Sequence, residues 1–381
     1  MFDQITAEQL AEKRDAGESY ALLDTRTEES YEAWRIPGAE SIPFGPTETL
    51  DDEGKKRLDE LIDSRPVITI CGKGITSTNL AAELDANGYE DVTVVKGGMR
   101  DWNDVYERVP IDVGDDLVVV QFQRRAKGCL SYLVGSREAG EAIVVDPTRH
   151  TDQYVVTAAE LGLRITRVVD THVHADHVSG GRELAERLGV PYHLGAHARD
   201  RGVAMEFDPV EDGNVLSVGD VELTALHTPG HTSELTSYRI GDEAILTADA
   251  LFVDSIGRTE LEFDEDDAAT GAEMAYETLH GTLAEQHADL LVLPGHVTVE
   301  NDGHYRNGSP GEPVAAALGE VRERLDVLDL DEKAFVEQMV ESVPDKPANY
   351  ETIIGINRGR ERVDDPVALA DLETGANNCA A

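Results

Sequence analysis

Three imidazoles and one carboxylate fall within six residues at His172-Val173-His174-Ala175-Asp176-His177, and such a set is a poor recipe for a hydrophobic core. An apolar, β-like run from Ile165 to Val169 leads into it, through Thr171, and Gly180-Gly181 then opens a helix-like segment from Arg182 to Leu188. The cluster therefore belongs on a loop between strand and helix. In an extended segment residues i and i+2 face the same way, so His172 and His174 are expected to reach one point. The following turn swings Asp176 and His177 towards a second. Nitrogen and oxygen donors of this kind suit zinc, iron or manganese rather than calcium.

Complementary donors recur downstream, at Thr228-Pro229-Gly230-His231-Thr232, Thr247-Ala248-Asp249-Ala250 and Pro294-Gly295-His296. Each follows an apolar β-like run: Val221 to Leu226, Ala244 to Leu246, and Leu290 to Leu293. Strand ends followed by loops are where a rigid sheet presents functional groups. His231 or His296 alone reads as an ordinary loop histidine; the four stretches together, in this order, are specific.

From Gly114 to Tyr305 the chain resembles the metallo-β-lactamase superfamily, an αββα sandwich with metals at one edge of two facing sheets. The resemblance implies that His172, His174 and His231 share one metal, that Asp176, His177 and His296 hold a second, and that Asp249 bridges them. Two branches of the superfamily remain open. In the hydroxyacylglutathione hydrolase type, two zinc ions supply a hydroxide that attacks a thioester. In the persulfide dioxygenase (ETHE-type) branch, one ferrous iron is held by two histidines and a carboxylate. By position those ligands are His172, His231 and Asp249, which leaves His174, Asp176, His177 and His296 either to support those ligands or to surround a vacant second site.

The run from Asp249 to Thr259 resembles the dioxygenase branch, with Arg258 a candidate for orienting substrate. So does the Lys346-Pro347-containing segment from Val343 to Tyr350 and on to Asn357. That branch implies oxidation of a low-molecular-weight thiol persulfide by dioxygen, giving sulfite and free thiol. A sulfur carrier or regulatory protein whose metal only holds the fold is the third reading.

The amino-terminal region reads as a separate α/β unit, with short apolar runs alternating with helical segments from Ile5 to about Val109. Thr6 is placed to cap a helix, with Gln9 three residues on. The buried strand Pro66 to Ile70 delivers Cys71, and Gly72-Lys73-Gly74-Ile75-Thr76-Ser77 curls into a helix from Thr78 to Asn87. Unpaired amides at such a helix start favour a thiolate and cradle an anion bound to it. With Leu22-Leu23-Asp24-Thr25-Arg26, Ile36-Pro37-Gly38-Ala39 and Lys96-Gly97-Gly98-Met99 before Trp102, the unit is similar to a rhodanese domain. The resemblance makes Cys71 the carrier of sulfane sulfur. Many rhodaneses have arginine where this chain has Thr76, and Lys73 is the cation at hand to replace it. An inactive docking domain is the alternative.

Seventy-six acidic against thirty-three basic residues give a formal charge of −43, spread over the whole length. Nucleic acid and anionic membrane would be repelled, so neither is expected as a partner. The excess, with arginine commoner than lysine, suits the solvated surface of a protein from a high-salt cytoplasm. No apolar run is long enough to span a bilayer and no charged-then-apolar leader follows Met1, so a soluble cytoplasmic protein is expected. Three cysteines, Cys71, Cys129 and Cys379, are too few for a disulfide framework. Cys129 is expected in the core and Cys379 in a loose end.

These observations give a rhodanese-like α/β domain over residues 1–110 and a linker over 111–116. A metallo-β-lactamase-fold domain with a C-terminal helical extension follows over 117–363, then a loose tail over 364–381. Pro313 to Leu330 and Glu332 to Val340 are expected to be helical. The expected partners are a small thiol persulfide and dioxygen, with self-association left open.

Overall fold

The computed structural model describes residues 2–114, 116–263, 268–341 and 346–375. Asp115, Val343, Pro344, Asp345 and Cys379, on which parts of the sequence reading rest, lie outside these residues. Five parallel strands form the first sheet, including Ala21–Asp24, Val67–Ile70 and Val92–Val95. Helices cover both of its faces, which is why these strands are buried along nearly their whole length. The first helix, Ala7–Asp15, starts in a capping box: the Gln9 N–H donates to Thr6 Oγ1 at 3.2 Å and the Thr6 N–H to Gln9 Oε1 at 3.0 Å.

Two further sheets, of seven and six strands, face one another across a shared core. Alternate residues along Leu117–Arg124 divide between faces: Leu117 and Val119 enter this core, whereas Val118, Val120 and Phe122 pack outwards beneath helices. A period of two with both faces covered explains the unbroken apolar run there. On the far side of the six-stranded sheet, Ala268–Glu277, Leu318–Arg324 and Glu332–Glu341 close the fourth layer. The result is α, β, β, α, as the sequence suggests. No helix among the described residues is long and apolar enough to cross a membrane.

Three segments depart from the sequence reading. Tyr106–Ile111, assigned from sequence to the first unit and the linker, pairs antiparallel with Leu117–Arg124 as an edge strand of the seven-stranded sheet. Pro110, which reads as a break, is tolerated because an edge strand needs no outward N–H. Ala316–Ala317 joins the edge of the six-stranded sheet beside Leu291 and Val292, so the helix expected from Pro313 begins only at Leu318. The tail from 364 is not loose throughout: Pro366–Leu372 is helical and Glu373 is buried. Its composition is polar, but Arg124 and Arg149 draw the Glu373 carboxylate inwards.

The chain direction places the histidine motifs together. Glu141–Val145, Arg164–Val169 and Tyr192–Gly195 run parallel, so Asp146 and the 170–180 loop leave at one sheet edge. In the facing sheet, Val221–His227, Ala244–Ala248 and Leu291–Pro294 share one direction and deliver His231, Asp249 and His296. Crevices outside the carboxyl ends of parallel strands are where such sheets bind ligands.

Candidate metal centre

His172, His231 and Asp249 converge, with one ligand atom from each inside a 4.8 Å cluster and all three residues buried. His172 Nε2 and His231 Nε2 lie 4.0 and 3.5 Å from Asp249 Oδ2. The other ring nitrogens fix what these atoms carry. His231 Nδ1 donates to the Arg258 carbonyl at 2.7 Å. Thr171 Oγ1 donates to Asp146 Oδ2 at 2.9 Å and so accepts from His172 Nδ1 at 2.8 Å. In the neutral form of either ring Nε2 is therefore the lone-pair atom, and both Nε2 atoms face a carboxylate oxygen that has no hydrogen-bond partner. Burial, then the His174 and His231 rings, hold His172 well below the ordinary imidazole range. Burial pushes Asp249 up, but His296 and His231 outweigh it and leave the carboxyl below its ordinary range. Three buried nitrogen and oxygen donors gathered at one point fit a cation.

The remaining donors form an adjoining set. His296 links the two carboxylates, Nδ1 lying 2.8 Å from Asp249 Oδ1 and Nε2 3.1 Å from Asp176 Oδ2. His177 Nδ1 lies 3.1 Å from Asp176 Oδ1. The i, i+2 expectation holds only in part. The His172 and His174 ring centroids are 4.2 Å apart, but His174 Nε2 turns to Asp146 Oδ1 at 3.2 Å and groups with Asp176 and His177. His174 Nδ1 and His177 Nε2 are buried without hydrogen-bond partners. Asp249 thus stands between both sets of donors.

Two glycines let the backbones close around Asp249. A Cβ on Gly295 would lie 2.2 Å from Asp249 Oδ1, and one on Gly257 would lie 1.8 Å from the Asp249 carbonyl oxygen. Ala248, just before the ligand, adopts φ +47°, a left-handed conformation that costs an L-residue about 1–2 kcal/mol. Arg258 is fully buried with its guanidinium bonded to Glu260, and its carbonyl is what reaches His231.

Several residues that hold the histidine loop escaped the sequence reading. Asn357 Nδ2 donates to the carbonyls of His174 and His177, both at 2.8 Å, and its Oδ1 accepts the Ser179 N–H at 2.9 Å. Glu373 Oε1 accepts the Val178 N–H at 2.7 Å, and Glu234 Oε1 the Val173 N–H at 2.8 Å. Asp146 directly follows a strand, as Asp249 does. Cys129, read as core, is buried but donates from Sγ to Asp176 Oδ2 at 2.9 Å.

In the first domain Cys71 Sγ accepts from the Gly74 N–H at 3.0 Å and from Ser77 Oγ at 3.2 Å. Burial pushes this thiol up, yet hydrogen bonds from Ser77, Thr76 and the loop backbone leave it below its ordinary range. A Cβ on Gly98 would lie 2.0 Å from the Cys71 carbonyl oxygen, so glycine is required where the neighbouring turn passes. Thr76 Oγ1 bonds Thr25 Oγ1 at 2.6 Å, and the Lys73 ammonium sits on Asp371 at 2.7 Å rather than at the sulfur.

The family described as Rhodanese-like domain matches residues 6–104, and the Metallo-beta-lactamase superfamily matches residues 124–296. Over 173 residues the chain is 32% identical to persulfide dioxygenase ETHE1, mitochondrial, of Bos taurus, covering 45% of this chain and 65% of that protein. It thus spans just under two thirds of that relative. Over 243 residues it is 30% identical to hydroxyacylglutathione hydrolase of Polaromonas sp., covering 57% of this chain and 87% of that one. The crystal structure of ETHE1 from Myxococcus xanthus superposes with a TM-score of 0.53 at 25% identity, over 64% of this chain and 99% of the other.

Proposed function

The chain belongs to the metallo-beta-lactamase superfamily, with a rhodanese-like domain ahead of that fold, and on this basis we propose that it oxidises a low-molecular-weight thiol persulfide with dioxygen. The observation that carries the reading is the convergence of two imidazole nitrogens and one unpartnered carboxylate oxygen from His172, His231 and Asp249. Such a face of two histidines and one carboxylate suits a single ferrous iron with positions left open. When bound, the iron supplies the redox chemistry that lets dioxygen react with sulfur.

The overall reaction balances as RSSH + O2 + H2O → RSH + SO3²⁻ + 2 H⁺. The S–S bond breaks, the terminal sulfur is oxidised from the sulfane level to sulfite, and dioxygen accepts the four electrons. The protein's part is positional. Arg258 acts through its carbonyl, which keeps the His231 lone pair on Nε2, and Thr171 does the same for His172. Asn357, Glu373 and Glu234 hold the loop that carries His172. Burial of all three donors removes competing water.

Cys71 has the surroundings of a sulfane-sulfur carrier: a buried thiol, two hydrogen bonds onto the sulfur and a helix start beside it. We assign it the supply of persulfide sulfur, or the joining of sulfite with sulfane sulfur as thiosulfate. Cys71→Ser is expected to reduce sulfur transfer to background and leave oxygen uptake with a small persulfide within about twofold. Transferase activity unchanged in that variant would favour the docking role.

A hydrolytic reading has its own support in the adjoining donors His174, Asp176, His177 and His296 and in the hydroxyacylglutathione hydrolase relative. Oxygen consumption with a persulfide, measured beside hydrolysis of a glutathione thioester, separates the two. Uptake without hydrolysis supports the dioxygenase, and hydrolysis without uptake supports a dinuclear zinc enzyme.

A further inference from the structure

We propose that the cavity between the two domains binds a small ring-bearing organic anion of the aryl carboxylate class. Trp34, Trp102, Arg14 and Arg35 line it from the rhodanese-like side, and Arg125 and Tyr305 from the side of the sandwich. Neither Cys71 nor any residue of the metal centre lines it, so the site stands apart from both proposed activities. Its volume of about 150 Å³ takes one benzene-sized ring. Domain seams with aromatic walls and a few polar groups are where small-molecule sites are commonly built. Backbone contacts fix this seam. The Arg35 N–H donates across it to the Asn301 carbonyl at 2.9 Å. Gly303 has φ +83°, and a Cβ there would lie 2.4 Å from the Arg35 carbonyl oxygen, so the turn closes only with glycine.

Charge and hydrogen bonding identify the occupant. The chain carries 76 acidic against 33 basic residues, yet the lining has three arginines and, among the described residues, no carboxylate. Arg125 is held in place from behind: its Nη1 donates to Asp15 Oδ2 at 2.9 Å and to Glu107 Oε1 at 2.8 Å, and its guanidinium carbon lies 5.7 Å from the Trp102 ring centroid. Arg35 faces the exposed Glu32 at 3.6 Å, a pair that water screens, so its charge remains available to an anion. Tyr305 supplies the second, independent sign of a ligand. It is 8% exposed, and its hydroxyl is buried without a hydrogen-bond partner. Burial holds that hydroxyl above the ordinary phenol range, so it stays protonated and able to donate. A buried donor without an acceptor is costly, and an anion supplies the acceptor. The indole faces then take the ring while the guanidiniums and the phenol take the carboxylate. Such an occupant touches both domains and ties one to the other.

Trp34 and Trp102 are the two tryptophans of the chain and both line the cavity, so intrinsic fluorescence reports its occupancy without a label. The full chain is titrated with benzoate through the millimolar range, beside acetate, which lacks the ring, and benzyl alcohol, which lacks the charge. Benzoate is expected to give a saturable change at one site per chain, with both analogues at least about tenfold weaker. Arg35→Gln and Tyr305→Phe should each weaken benzoate about tenfold, because each removes a hydrogen bond to a charged group. A strictly linear response of the wild-type chain to benzoate would overturn the proposal without any variant having to fold. Benzyl alcohol binding as tightly as benzoate would overturn the anion, and acetate binding as tightly would overturn the ring. Saturation that neither variant alters would overturn the location.

Discussion

His231→Ala is expected to bring persulfide-dependent oxygen uptake down to the uncatalysed background. The loss should exceed the ~10–100-fold that follows removal of a residue merely orienting a metal ligand. The reason is local: His231 Nε2 is one of two imidazole nitrogens facing Asp249 Oδ2, and among the described residues no other imidazole joins that group. Sulfur transfer at Cys71 should be unchanged, because that cysteine sits in a parallel sheet with its own two cores. The two activities are to be measured on one preparation. Persistent oxygen uptake would mean that His231 is not a ligand, and loss of both activities would mean that the variant is misfolded rather than metal-deficient.

Glu373→Ala should give the largest loss of stability. Arg124 is wholly buried, and its Nη2 donates to both Glu373 Oε2 and Asp104 Oδ1 at 2.7 Å. Arg149 Nε reaches the same Glu373 oxygen at 2.9 Å. Removing one partner of a buried ion pair costs about 3–5 kcal/mol, and the low end applies here because Asp104 still faces both guanidiniums. Val178 would lose its acceptor one residue beyond His177, so metal retention should fall with stability, by ~10–100-fold. Glu373→Gln, which keeps hydrogen-bonding atoms without the charge, should recover part of both.

The pH dependence of this contribution has a definite sign. Burial pushes the Glu373 carboxyl up, but Arg124 and Arg149 outweigh it, so its folded pKa lies below the ordinary glutamate range. The stabilisation is therefore complete above that range and is lost as pH falls through the depressed value. Urea unfolding of wild type and Glu373→Ala should differ fully at neutral pH and converge in acid. A variant as stable as wild type at neutral pH would show that the two arginines are satisfied without Glu373.

The sequence made the sandwich and its metal-binding edge legible for a physical reason. Each donor follows an apolar run that must be buried, so His172, His231, Asp249 and His296 announce both a strand and its end. Residues that support the centre lack such a signal. Asn357 lies on a helix 180 residues beyond His177, and nothing near it in the chain marks a residue bonded to that loop. Glu373 follows a short helix of small and apolar residues set between acidic and polar stretches that resemble a solvated tail, and its meeting with Arg124 and Arg149 explains its burial. Cys129 opens an apolar strand and so reads as core; its contact with Asp176 depends on pairing between segments that are far apart in the chain. The edge strand Tyr106–Ile111 was hidden by Pro110, whose meaning depends on which side of the sheet faces a neighbour.

Metal content measured on protein purified without oxygen, together with oxygen uptake on adding a small persulfide, tests the central claim most directly. The account predicts one iron per chain, uptake that follows iron content and sulfite as product. Two zinc ions per chain, no iron and no oxygen uptake would contradict it.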